Sequence, residues 1–109
     1  MKEETTLVYI TAGSAEEART IGRKLVEERL AASVNIYSNI QSIYWWEGRM
    51  REEPEAVIIV KTQTALLSEV IEKVKAMHSY ELPCILSLPI AGGHGPFLDW
   101  IREETKKEV

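Results

Sequence analysis

From Ala32 to Trp46 the side chains alternate in character: the even positions carry Ala, Val, Ile, Ser, Ile, Ser, Tyr and Trp, and the odd ones are the more polar Ser33, Asn35, Tyr37, Asn39 and Gln41 before Ile43 and Trp45. A period of two held that long predicts one strand with one buried face. At about 3.3 Å per residue it would reach roughly 50 Å, where a modal strand reaches under ~20 Å. Glu47-Gly48 interrupts the run and a second β-rich stretch leads to Thr62, so the two halves are expected to form a hairpin. A helix over Ala15 to Leu30 would cover only about 24 Å of that length. The tip bearing Tyr44, Trp45, Trp46 and Met50 must then project past the subunit's own core, where adjacent tryptophans would make a sticky patch. Tyr44, Trp45 and Trp46 are therefore expected to be an oligomer interface, covered by other copies of the chain.

The rest of the chain supplies the partners of that hairpin. Thr6 to Ala12 reads as a short strand. Ser14 followed by Glu17 is a capping-box pattern, and Ala18, Ile21, Gly22, Leu25, Val26 and Leu30 continue at helical spacing. Pro54, lacking an N–H, places the Arg51-to-Glu55 run at an edge or a bulge. Ala56 to Val60 is apolar on both faces, which marks an interior strand. Thr64 is a candidate cap for a second helix with the stripe Leu67, Val70, Ile71, Val74 and Met77. Leu82 to Ile90 reads as a last strand, and Pro83 and Pro89 assign it to an edge. Gly92-Gly93-His94-Gly95 turns the chain, and Pro96 opens a final helix with Phe97, Trp100 and Ile101. The order βαββαβ plus a terminal helix predicts an α+β, ferredoxin-like sandwich with an extended second hairpin, in which the first and third strands are central.

Composition narrows the possibilities without adding a chemistry. A chain of 109 residues is expected to be one domain, residues 1–109. No apolar run is long enough to span a membrane, and a formal net charge of −4 gives no electrostatic reason to expect nucleic acid. The acidic start Met1-Lys2-Glu3-Glu4 does not read as a secretion signal. The single Cys84 suits a reducing compartment, so a cytoplasmic location is expected. No nucleophile paired with a base and no close acid pair is present, and an enzyme is not expected.

His78, Glu81 and Cys84 form the chain's His/acid/Cys cluster, a donor set that suits copper or zinc. On a strand, residues 81 and 84 would face opposite ways, so a compact three-donor site in one subunit is not expected. The plainer reading of His78 is a helix-terminal imidazole favoured by the dipole. Lys61 follows a buried strand and needs a partner, for which Glu81 is the natural choice.

Several segments together resemble one family: Leu30-Ala31-Ala32-Ser33-Val34-Asn35, Tyr44-Trp45-Trp46-Glu47-Gly48-Arg49, Ile59-Val60-Lys61-Thr62, His78-Ser79-Tyr80-Glu81-Leu82-Pro83 and Leu98-Asp99-Trp100-Ile101. In order and spacing they are similar to the CutA family of divalent-cation tolerance proteins. The resemblance implies a ferredoxin-like homotrimer with a cytoplasmic role in tolerance of divalent metals, especially copper, and weak binding of copper or another divalent cation. It also implies architectural kinship with trimeric PII-type signalling proteins, so a module binding a small molecule at subunit clefts is the alternative function. Lys61, Tyr80 and Glu81 stand at positions recurrent in the family and are expected to line a polar pocket between subunits. His78 matches the family's histidine and is the expected metal ligand. Ser33 and Ile10 stand where relatives carry cysteines, and Cys84 stands where a glutamate is usual.

Overall fold

A computed structural model describes residues 4–106. The chain runs β1 (Thr5–Ala12), α1 (Ala15–Glu27), β2 (Ser33–Trp46), β3 (Arg49–Gln63), α2 (Leu67–Met77), β4 (Ile85–Pro89) and α3 (Gly95–Glu104). The strands form one antiparallel sheet in the order β2-β3-β1-β4. This is the expected ferredoxin-like plan, with the all-apolar β3 inside and the proline-bearing β4 at an edge. Val8, Ile10, Ala12, Ala56, Ile58 and Val60 on one sheet face meet Ala18, Ile21 and Leu25 of α1 and Val70 and Val74 of α2 in a single buried cluster. Alternate residues of both central strands belong to it because successive side chains of a strand point to opposite faces.

The cap of α1 forms as the sequence indicates. Ser14 Oγ accepts the Glu17 N–H at 3.0 Å, while Glu17 Oε1 reaches back to the Gly13 N–H at 2.9 Å. The helix ends at Glu27, short of Leu30, where Arg29 turns the chain with a φ of 61°. Val26, expected on the apolar stripe, lies outward and exposed. Thr64 does not cap α2. Its own N–H is taken by the Glu4 carbonyl at 2.9 Å, and a 3-10 turn over Thr64–Leu66 feeds the helix with no side-chain cap. At Gly22 the helix comes so close to the sheet that an added Cβ would lie 3.0 Å from the Val34 side chain.

β2 and β3 are the long elements, and the molecule measures 47 × 25 × 22 Å. β1 pairs with β3 only from Gln63 back to Ala56, so residues 49–55 form a two-stranded ribbon with β2. Pro54 is tolerated there because the edge it presents is unpaired. Glu47 (φ 51°) and Gly48 (φ 79°) close the ribbon with two left-handed residues, the geometry that matches strand twist in a two-residue hairpin.

The single buried face expected for β2 is corrected by a bulge. Ile36 pairs with Ile58 and Tyr37 with Val57, but Ile40 pairs with Glu55, which leaves Ser38 and Asn39 opposite one residue of β3. One extra residue reverses which face the following side chains take. Val34 and Ile36 therefore point toward the helices, whereas Ile40, Ser42, Tyr44 and Trp46 share the opposite face with Glu55 and Glu53. Ile43, Trp45 and Met50 then fall on the helix side of the ribbon, beyond the reach of any helix, and Trp45 is 74% exposed.

Candidate functional site

The strand expected from Leu82 begins only at Ile85, and residues 78–84 form an irregular linker between α2 and β4. The linker is tied down from two sides. Glu17, already serving the cap of α1, accepts the Ser79 N–H through Oε2 at 2.8 Å. Burial alone would raise the Glu17 carboxyl, but the Gly13 and Ser79 N–H groups outweigh it and hold the group below the ordinary carboxylate value. His78 Nε2 lies 2.7 Å from the Thr11 carbonyl, and its Nδ1 lies 3.1 Å from the Tyr80 N–H. A carbonyl only accepts, so Nε2 carries the proton and Nδ1 is the acceptor for Tyr80.

That arrangement corrects the assignment of His78 as a metal ligand. Both ring nitrogens are engaged and the side chain has no exposed surface, so no lone pair faces solvent. The His78, Glu81 and Cys84 cluster does not converge either: no group of three His, Cys, Asp or Glu side chains among the described residues is placed to hold an ion. The donors of one chain do not fit a resident divalent cation.

The linker instead forms one wall of a cleft of about 670 Å³ whose other wall is the ribbon. Tyr80 and Glu81 contribute from the linker, and Tyr44, Trp45 and Trp46 from β2, so two groups of residues expected to act separately meet here. The floor is a pair of hydroxyl–carboxylate contacts. Tyr80 Oη donates to Glu55 Oε2 at 2.6 Å, and Tyr44 Oη donates to Glu53 Oε1. Burial, then the Glu55 carboxylate, pushes the Tyr80 phenol well above its usual range, and the bond to Glu53 raises Tyr44. Glu55 is only 8% exposed.

Lys61 is not part of this cleft, and the expected Lys61–Glu81 pair does not form within the chain. Lys61 pairs with Leu7 and Ser33 at the other end of the sheet, and its ammonium donates to Asn35 Oδ1. Burial lowers its pKa. Glu55 was not singled out from the sequence, where it sits in a charged run that reads as solvated. Its proximity to Tyr80 depends on the linker's path, and only the bulge, which puts Ile40 opposite it, hints that it faces inward.

Sheet order, paired helices and projecting ribbon define a ferredoxin-like domain with an extended hairpin. A family profile described as CutA1 divalent ion tolerance protein matches residues 6–104, and the chain belongs to that family. Over 99 residues it is 51% identical to the divalent-cation tolerance protein CutA of Archaeoglobus fulgidus, covering 91% of this chain and 96% of the relative. Its counterpart from Thermus thermophilus is 50% identical over the same shares. Among solved structures, CutA1 from Oryza sativa superposes with a TM-score of 0.94 at 37% identity, covering 97% of each chain. The Archaeoglobus fulgidus protein, described there as periplasmic, gives 0.91 at 48% identity, over 94% of this chain and 99% of that one.

Proposed function

We propose that the chain works as a homotrimeric, non-catalytic divalent-cation tolerance protein of the cytoplasm, assembled through the β2–β3 ribbon and engaging copper weakly. The observation that carries this reading is the ribbon itself, which shows Tyr44 and Trp46 on one face and Ile43, Trp45 and Met50 on the other. A two-stranded ribbon with apolar side chains on both faces needs cover on both. A closed ring of copies supplies that cover without propagating into fibres. The lone, partly buried Cys84 supports the reducing compartment.

Copper engagement is assigned to surface coordination rather than to an enclosed site. Of the two histidines, His94 is the exposed one, and its side chain makes no cap bond at the start of α3. One imidazole gives weak binding, stronger for Cu(II) than for Zn(II) by the general order of affinities. Calorimetric titration of Cu(II) into wild type, His94→Ala and His78→Gln tests it, with melting curves confirming that each variant is folded. Heat of binding is expected in wild type and His78→Gln and absent in His94→Ala. No heat in wild type, or its loss only in folded His78→Gln, would contradict the assignment.

A further inference from the structure

One stretch of main chain, between β4 and α3, has its backbone donors unpaired. Ile90 donates its N–H to the Thr5 carbonyl at 3.1 Å, and the His94 carbonyl accepts from Phe97 and Leu98 at 3.0 and 3.2 Å to start α3. Between those two ties lies Ala91-Gly92-Gly93-His94. All four residues are exposed and outside any helix or strand, and their N–H groups donate to no acceptor among the described residues.

A histidine preceded by free amides offers a metal more than one donor. Once its imidazole Nδ1 holds Cu(II), the residue's own amide nitrogen can close a chelate ring and the preceding amide a second, each giving up its proton. This segment favours that arrangement in three ways. Upstream of His94 the chain is Gly92-Gly93, which can flatten around an ion without obstruction. A Cβ at Gly92 would meet nothing within 4 Å, and for one at Gly93 the nearest atom belongs to Leu98, at 3.8 Å. Downstream the chelate cannot run, because Gly95 opens α3 and Pro96 has no N–H. The charges also suit the place: two ionised amides cancel the charge of the ion, so the positive end of the α3 dipole does not oppose it.

Resting on the reading of His94 as the copper-engaging residue, we propose that Cu(II) is held in a planar site formed by the His94 imidazole Nδ1 and the backbone nitrogens of His94 and Gly93, with water in the fourth position. As each amide binds, its N–H bond breaks, the electron pair on nitrogen passes to copper and the proton goes to the buffer; the copper stays divalent. The added donors are main-chain nitrogens, so the site needs no converging side chains. It selects by geometry. Cu(II) and Ni(II) take planar nitrogen sets, whereas Zn(II) favours a tetrahedral one and keeps the imidazole alone. The chain therefore separates copper from zinc more sharply than a single surface imidazole does.

Gly93→Pro reads the chelate directly, since it leaves His94 in place and removes an N–H that must ionise. Neither Gly92 nor Gly93 has a positive φ, so neither position depends on left-handed backbone. Gly92→Pro, which keeps both ligating amides, is the control for proline in the loop. Cu(II) is titrated into full-length wild type, both proline variants and His94→Ala, with melting curves to confirm folding. Visible absorption and circular dichroism follow the copper, and calorimetry in two buffers of different ionisation enthalpy counts protons.

Wild type and Gly92→Pro are expected to show a d–d band at shorter wavelength than copper on one imidazole. They should release about one more proton per ion than Gly93→Pro. Gly93→Pro should lose the band shift and bind about a hundredfold more weakly, and His94→Ala should not bind. A wild-type band at the position of copper on one imidazole, or equal binding in folded Gly93→Pro, overturns the chelate but leaves copper at His94. Binding that survives His94→Ala, or none in wild type, overturns both.

Discussion

Glu17 carries two roles that its sequence context shows only in part. The Ser14–Glu17 spacing announces a cap, and the cap forms, but the second oxygen holds the Ser79 N–H across 62 positions of sequence. No local pattern encodes that bond. Glu17→Gln keeps the shape and one acceptor, and it should cost about 1–3 kcal/mol in chemical denaturation. The pH dependence has a definite sign. A carboxyl held below its ordinary value stabilises the fold above the unfolded pKa, near 4.3, and that stabilisation is lost as pH falls through the folded value. The acid limb of a melting-temperature profile should therefore be shallower in Glu17→Gln, and an unchanged limb would assign the linker's anchorage to His78 alone.

Tyr80 provides the complementary test. Its phenol is raised by burial and by Glu55, so its contribution is complete below the unfolded value near 10 and is lost as pH rises toward the folded one. Ultraviolet titration should show the Tyr80 and Tyr44 phenols ionising late, and Glu55→Gln should bring the Tyr80 phenol down. A profile indifferent to Glu55→Gln would contradict the hydrogen bond. The chemistry of His78 was the part of the site that residue type misjudged. A histidine at a helix end with acid and thiol nearby suggests a ligand, but the turn of the linker gives both nitrogens to the backbone, one at Thr11 and one at Tyr80.

At the scale of elements, what could be read from the sequence was what periodicity encodes. Strand order, the interior character of β3 and the edge position of β4 all follow from apolar runs and prolines. The bulge did not, because it belongs to the pairing of two strands rather than to either one. The alternation of β2 continues across residues 38 and 39 while its faces exchange relative to β3. The same device makes the ribbon two-sided, since one alternation serves the helix core before the bulge and an external surface after it. Deleting Asn39 should remove the bulge while the pairing of Ile40 with Glu55 keeps Tyr44 and Trp46 on their present face. The expected result is a subunit of unchanged far-ultraviolet circular dichroism that still assembles. Lost assembly would mean that the local bend and twist of the bulge, and not the facing alone, position the ribbon. The start of β4 was also misplaced, by three residues. Leu82 and Pro83 are strand-compatible in composition, but the last backbone contact to β1 is from the Thr11 N–H to the Cys84 carbonyl, at 3.4 Å.

At the scale of the whole molecule, the ribbon makes an isolated subunit 47 Å long and leaves its largest apolar side chains outside the core. Trp45 contributes little to the fold of one subunit, being 74% exposed, so Trp45→Lys should change the subunit's circular dichroism little while weakening association. Apolar anchors of this kind commonly contribute 2 kcal/mol or more to an interface, by the usual order of magnitude of about 2–4 kcal/mol. The measurement that bears most directly on the account is sedimentation equilibrium of the full-length protein at micromolar concentration, with Trp45→Lys alongside. The account predicts three times the 12.4 kDa chain mass for wild type and a lower mass for the variant. A wild-type protein that stays at one chain mass, its two tryptophan-bearing faces in water, would contradict it.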